Sequence, residues 1–413
     1  MIDRVTIRMY EVGFGDCFLL TFWTGTHPAH VLVDCGSITE GKAKVSAVAK
    51  DVIRACTAAG QPPRIALVVA THRHRDHVGG FDSSAWSSVE VGEVWMPWTE
   101  DPKDPVATQL RNRQSAIALA LVGSATDDEP LAAAVDAKES AAQALQRSVR
   151  AMSINALTNE AAMSTLHRGF VGSPPRHFLP LDGVDCEART VAGLDGVSIH
   201  VLGPPRSQAA IAVMNPPTGE AYSRLRGGSL KVANEEGAAF GSEWAVASGV
   251  LPADDRKTID GLALQPEGGL AAAIDNAVNN TSLILVFEVG NQWLLFPGDA
   301  QWGAWNAALV NPKALEILAR TTLYKVGHHG SHNATPRKLI ETVMTQLYTA
   351  MFSTKPVPQW PDIPRQPLLD AIQARHNLIV RTDREAEAPP GVFRVSPGLY
   401  IERELSIVPP QLA

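Results

Sequence analysis

The run Thr71-His72-Arg73-His74-Arg75-Asp76-His77 constrains this chain more than any other part of it. Three histidines and an aspartate crowd into one short turn. The turn directly follows the continuous apolar stretch Ile65–Ala70, whose length and composition fit a buried strand. Imidazole nitrogen and carboxylate oxygen are the donors that zinc, manganese or iron take. His72 and His74 can reach one cation, and Asp76 and His77, on the turn that follows, can reach a second beside it. A solvated polar turn is the bland alternative. Chance, however, rarely sets H-x-H-x-D-H at the carboxyl end of a strand, where α/β proteins place their chemistry.

One cluster cannot fill two coordination spheres, so partners are expected further along. Phe296-Pro297-Gly298-Asp299 puts a carboxylate just after a strand pattern, where a glycine turn can aim it inward and where it can bridge two ions. Val326-Gly327-His328-His329-Gly330-Ser331-His332 brings three more histidines, behind the strand pattern Leu323–Val326, with glycines that permit close backbone approach. Taken singly, these segments read as an ordinary turn and a histidine-rich loop. Together with the first cluster they describe a site assembled from strand ends.

Around these motifs strands and helices alternate. Val5, Ile7 and Met9 alternate with polar neighbours, and Cys17–Trp23 and Val31–Val33 are apolar runs. Val45, Val48, Val52 and Cys56 recur at helical spacing up to a stop at Gly60. Ser282–Val289 and Trp293–Phe296 are joined by Gly290-Asn291, a hairpin signal. Pro336–Tyr348 and Pro367–Arg375 read as helices. Residues 107–165, rich in Ala, Gln, Ser and charge, read as two or three helices; residues 205–278 have Pro-Pro, Gly-Gly and Asp-Asp breaks and read as long loops.

Composition narrows the function classes. A chain of 413 residues with 45% hydrophobic and 19% charged residues is globular and long enough for one large domain or two. Its formal charge of −7 gives no overall attraction to nucleic acid, although a local basic groove is compatible with it. Cys17, Cys35, Cys56 and Cys186 lack C-x-x-C spacing and are expected as reduced core residues. Met1–Arg8 lacks the apolar region of a signal peptide, and no apolar run approaches the roughly 18 residues of a membrane span. A cytoplasmic protein with no membrane association is the expectation.

H-x-H-x-D-H, a later strand-end Gly-Asp and a still later His-His-Gly-Ser resemble the metallo-β-lactamase superfamily. Within it, they resemble the soluble hydrolase domain of ComEC-type competence proteins and their stand-alone relatives. Val12-Gly13-Phe14-Gly15-Asp16-Cys17 is similar to that family's Val-Gly-Gln-Gly-Asp, with Phe14 in place of glutamine. Val31-Leu32-Val33-Asp34-Cys35-Gly36 resembles its Leu-Ile-Asp-x-Gly, Asn279-Asn280-Thr281-Ser282-Leu283 its Asn-Asn-x-Ser-Leu, and Arg381-Thr382-Asp383 its closing Arg-Thr-Asp. The motifs cover residues 5–100 and 196–385 in the family's order.

The resemblance implies an α/β fold, a four-layer αβ/βα sandwich spanning residues 1–413 as a single domain. A helical insertion at 107–195 and a loop-rich insertion at 205–278 would extend it. Carried over, His72 and His74 bind one metal, Asp76 and His77 the other, and Asp299 bridges; His328 or His329 completes the second sphere. Asp16 and Asp34 lie beneath or beside the site. Many superfamily members supply a third histidine to the first metal; the candidates here are His167, His177 and His200, of which His200 lies nearest the expected place.

The expected activity is that of a dinuclear hydrolase. Two divalent ions, zinc or manganese, would lower the pKa of a shared water, and the bridging hydroxide would attack the substrate. Asp76 or Asp299 would orient the hydroxide and carry its proton, while His328, His329 and Ser331 would hydrogen-bond a substrate oxygen. The subfamily favours a phosphodiester substrate, nucleic acid or small molecule, which makes the chain a phosphodiesterase or nuclease. Arg73 and Arg75 fit such an anion, as do Lys325 and Lys355 where they face the cleft. Two other readings stay open: hydrolysis of a lactone, thioester or other carbonyl substrate, and a binding or regulatory module with impaired chemistry.

Overall fold

The apolar runs become the strands of two mixed sheets. The computed structural model describes residues 1–122, 159–182, 186–217, 219–222, 278–357, 360–375 and 377–408. The chain first lays down β1 (Arg4–Tyr10), β2 (Cys17–Thr24), β3 (His27–Cys35), β4 (Arg64–Val69), β5 (Glu90–Pro97) and β6 (Arg176–Leu179). A second sheet takes β7 (Ala188–Arg189), β8 (Ser198–Gly203), β9 (Ile284–Val289), β10 (Gln292–Phe296), β11 (Leu323–Lys325), β12 (Thr349–Phe352) and β13 (Leu378–Arg381). Finally β14 (Phe393–Ser396) and β15 (Tyr400–Ser406) return to the first sheet. The strand orders are β14-β15-β1-β2-β3-β4-β5-β6 and β13-β12-β11-β10-β9-β8-β7. In each sheet a parallel block, β3 to β6 and β10 to β13, adjoins an antiparallel one.

Side-chain alternation explains the layering. On β2, Phe18, Leu20 and Phe22 enter a core shared with the second sheet, while Cys17 and Leu19 enter a core shared with the helix Lys42–Ala55. On β9, Leu285 and Phe287 face the shared core, and Ile284 and Val286 face the helices Trp302–Leu309 and Pro312–Ala319. Phe18 meets Phe296 edge-on across the sheets, with ring centroids 5.4 Å apart. A strand buried on both faces must be apolar throughout, which is why β2, β4 and β9 read as unbroken runs. Each fully buried phenylalanine contributes roughly 1.5–3 kcal/mol.

Several expectations of local structure hold. The helix Lys42–Ala55 buries Val45, Val48, Ala49 and Val52. The hairpin joins β9 to β10 with Val289 paired to Gln292, and Gly290 takes φ 53. All four cysteines are buried thiols. Among the described residues, no helix is long and apolar enough to cross a membrane.

Two segments differ from expectation. The stretch 107–195 is not wholly a helical insertion. Its described part holds the helices Pro105–Val122 and Glu160–Arg168, but also β6, which pairs with β5, and β7, which pairs with β8. Positions 123–158 and 183–185, and most of the expected loop-rich stretch 205–278, lie outside the described residues. Within Pro336–Tyr348 the helix is confined to 337–343 and ends in the wide turn Leu339–Val343. Met344 then takes ψ 68, which ends the helix before β12.

Candidate metal centre

The parallel strands β3, β4, β10, β11 and β12 deliver their carboxyl-terminal loops to one edge of the sandwich. Asp34 lies near the end of β3, residues 71–77 follow β4, Asp299 follows β10, and His328 and His329 follow β11. The loops pack backbone against backbone. Gly298 has φ 55, and a Cβ there would stand 2.7 Å from Thr71 Cβ; a Cβ on Gly36 would run into the carbonyl of Arg75. Asp34, His328 and His329 hold φ of 59, 44 and 54, a region that side chains other than glycine visit rarely. Two successive left-handed residues throw the rings of His328 and His329 apart, to 6.2 Å between centroids at 61°.

Hydrogen bonds fix which ring nitrogen faces the interior. Asp34 accepts from Thr71 N, Thr71 Oγ1 and His77 Nδ1, each at 2.7 Å. A carboxylate only accepts, so the proton of neutral His77 sits on Nδ1 and Nε2 is turned to Asp299 Oδ2 at 3.1 Å. The Thr71 hydroxyl hydrogen is committed to Asp34, so His72 Nδ1, 3.2 Å away, donates to Thr71 Oγ1. His72 Nε2 then lies 3.0 Å from His74 Nδ1. His329 Nδ1 donates to the Ser353 carbonyl at 2.7 Å, leaving Nε2 3.3 Å from Asp76 Oδ2 and 3.8 Å from Asp299 Oδ2.

Three donor groups result, with ligand atoms in each lying within 4.8 Å of one another: His72, His74 and Asp76; Asp76, His77, Asp299 and His329; and Asp16, Asp34 and His77. All of these side chains are buried. Such groups can hold metal ions, since nitrogen lone pairs and carboxylates converge where water is scarce.

The protonation states fit the same use. Burial, aided by neighbouring His77, keeps His72 well below the ordinary histidine range, and burial lowers His74 and His328 to about 4. These three are neutral imidazoles at pH 7. Burial alone would raise Asp299, but His77 and Lys325 outweigh it and hold the carboxyl well below its usual range. His77 and His329 go the other way: burial opposes their charge, yet the surrounding carboxylates raise them. Protons are favoured there because the carboxylates demand positive charge, which a divalent cation supplies more effectively.

His329 rather than His328 joins the group containing Asp76 and Asp299. His328 instead gives its backbone N–H to Asp299 Oδ1 at 3.0 Å, and its Nε2 accepts from Asn279 Nδ2 at 3.4 Å. Ser331 Oγ donates to Asn333 Oδ1 at 3.1 Å. Arg73 and Arg75 are half-buried beside the ligands, and Arg73 Nε is buried without a hydrogen-bond partner among the described residues. Lys355 pairs with Glu40 on the surface, at 2.6 Å.

The expected third histidine does not arrive. His200 lies within β8, where its Nε2 meets Glu288 Oε2 at 2.8 Å and its ring stacks on Trp293. Its Nε2 is engaged by the neighbouring strand β9, which carries Glu288. His177 stands 3.4 Å from Glu93, and His167 stacks on Phe178. None of the three joins a donor group among the described residues.

Sequence reasoning passed over Thr71, whose hydroxyl orients both Asp34 and His72, and its place at the head of the histidine run was the available signal. The Ser353 carbonyl, which orients His329, carries no sequence signal because it is a backbone atom. No protein-family model matches the chain, and no curated protein matches it either. The functional reading therefore stands on residues and geometry.

Proposed function

We propose that the chain is a dinuclear metal-dependent hydrolase of the metallo-β-lactamase superfamily, similar to the ComEC-type hydrolase domain, and that its substrate is a phosphodiester. One observation carries this reading. Two donor groups, His72/His74/Asp76 and Asp76/His77/Asp299/His329, share the Asp76 carboxylate and sit side by side. They assemble the H-x-H-x-D-H, Gly-Asp and His-His-Gly-Ser motifs in one buried place, with Nε2 of His72, His77 and His329 turned inward.

The first group would hold one cation and the second another. When bound, two divalent cations supply Lewis acidity that activates water near neutral pH and neutralises charge on a phosphoryl oxygen. The protein's own part is orientation and proton handling. Asp34, Thr71 and the Ser353 carbonyl lock three rings in the required tautomers. Asp76, with a carboxyl kept ionised beside His77, can take the proton of the attacking water. Neutral His328 accepts at Nε2 from Asn279, so its proton is on Nδ1, a donor suited to a phosphoryl or leaving-group oxygen. Arg73 and Arg75, interleaved with the ligands, favour an anionic substrate over a neutral lactone.

The test joins metal analysis to two substrate panels. The wild-type protein is expected to bind two equivalents of zinc or manganese and to hydrolyse an activated phosphodiester, with both properties impaired in His74→Ala. A protein that binds no metal and stays inactive after metal addition rejects the enzyme reading. Lactone or thioester turnover without phosphodiester turnover, lost in His74→Ala, moves the substrate to the carbonyl class.

A further inference from the structure

Lys325 supplies no metal ligand, yet it occupies the floor of the centre. It ends β11 and is 2% exposed. Its ammonium donates to the Gly298 carbonyl at 3.1 Å, forms an ion pair with Asp16 Oδ2, and stands 3.5 Å from Asp299 Oδ1. Burial alone would lower its pKa, but Asp16 and Asp299 outweigh that penalty and keep it protonated. The ion pair also crosses the sandwich, because Asp16 immediately precedes β2 of the first sheet and β11 belongs to the second.

The two oxygens of Asp299 have different partners. Oδ1 accepts from His328 N at 3.0 Å and faces Lys325. Oδ2 faces His77 Nε2 at 3.1 Å and His329 Nε2 at 3.8 Å. We propose that Lys325 is a positioning residue for the metal pair: by holding Asp299 Oδ1 and Asp16 Oδ2, it keeps Asp299 Oδ2 turned to His77 and His329 in the larger donor group. The inference rests on the two-metal reading above. A carboxylate without this clamp can rotate and withdraw Oδ2 from the larger donor group, which would leave the second cation weakly held. A cation bound to the floor prevents that rotation by charge and by direction. An ion pair that merely joined the sheets would affect stability and leave the relation between the metals unchanged.

Manganese is a suitable probe, since two Mn(II) ions held by groups that share the Asp76 carboxylate would be spin-coupled and give an electron paramagnetic resonance signal unlike that of an isolated ion. The wild-type protein is expected to show the coupled signal. Lys325→Met is expected to bind manganese with an isolated-ion signal and a second equivalent weakened by about tenfold or more. Ethylammonium added to Lys325→Ala is expected to restore part of the coupling. A folded Lys325→Met that keeps the coupled signal overturns the inference and leaves the two-metal reading intact. A wild-type protein that binds no manganese, zinc or magnesium overturns the two-metal reading instead. Should the variants fail to fold, the wild-type protein labelled with 15N-lysine decides. A slowly exchanging Nζ resonance that shifts on adding zinc supports the assignment, and the absence of any such shift in a zinc-loaded sample overturns it.

Discussion

His329 Nε2 stands 3.3 Å from Asp76 Oδ2, although 253 residues separate the two in the chain. Asp76 rides on the turn after β4 of the first sheet and His329 on the loop after β11 of the second. The larger donor group thus exists only when the sheets are packed, and whatever binds it also binds the folded state selectively. In the metal-free protein the same contact forces buried carboxylates together, and Lys325 and protonated imidazoles offset them.

Metal removal should therefore destabilise the fold. A ligand held at a hundred times its dissociation constant stabilises the native state by about 2.7 kcal/mol, and two sites add to that. Thermal unfolding of the chelator-treated protein is expected several degrees below that of the zinc-loaded protein. Identical midpoints, with metal content verified in both samples, would count against a metal centre here.

Asp34→Asn should loosen the centre without touching a residue of the proposed metal pair. Asp34 takes three hydrogen bonds, from Thr71 N, Thr71 Oγ1 and His77 Nδ1. An amide can accept only through its oxygen, and an NH2 turned to His77 would favour the wrong tautomer. Loss of an orienting partner of this kind weakens metal binding by roughly 10–100-fold. Calorimetric titration with zinc measures it, and unchanged affinity would show that Asp34 serves the fold alone.

Much of the site and of the sheet framework was legible, for physical reasons that also mark where legibility stopped. Strands buried on both faces, such as β2 and β9, must be apolar throughout, and strand-end clusters of histidine and aspartate are rare enough to stand out. The edge strands β6 and β7 escaped notice. Arg176-His177-Phe178-Leu179 and Ala188-Arg189 are short and mixed in polarity, and are held by backbone pairing that leaves little periodicity. In 336–348, Leu339, Ile340 and Val343 have helical spacing because they pack on one helix-facing core, yet the chain leaves the helix at Met344. Choosing between His328 and His329 needed the Ser353 carbonyl, and the burial of the Lys325 ammonium needed Asp16 across the sandwich; neither partner is near in sequence.

His200→Ala tests the departure from the sequence expectation. The ring pairs with Glu288 and stacks on Trp293 inside the second sheet. Its removal is expected to lower stability by about 1–2 kcal/mol through the lost charge-assisted hydrogen bond and stacking. Metal stoichiometry and affinity should match wild type. Loss of one metal equivalent in a folded His200→Ala protein would place His200 in the centre after all.

A second buried histidine gives a pH dependence that owes nothing to metal. His30 on β3 is buried, and its Nδ1 shares a hydrogen bond of 3.0 Å with Thr21 Oγ1 on β2. Burial, with Arg8 adding to it, lowers its pKa from 6.5 to about 4. Above about pH 6.5 the ring is neutral folded or unfolded, and its contribution to stability is fully present. As the pH falls, the unfolded chain takes up a proton that the folded protein refuses, so that stability is lost progressively between about pH 6.5 and about pH 4. The full loss is about 3 kcal/mol, of which about 2 kcal/mol falls between about pH 7 and about pH 5. Urea unfolding of metal-free wild type against His30→Gln isolates this share, since every other histidine is common to both. The wild-type curve is expected to fall more steeply with acidification, and parallel curves would mean that His30 titrates alike in both states.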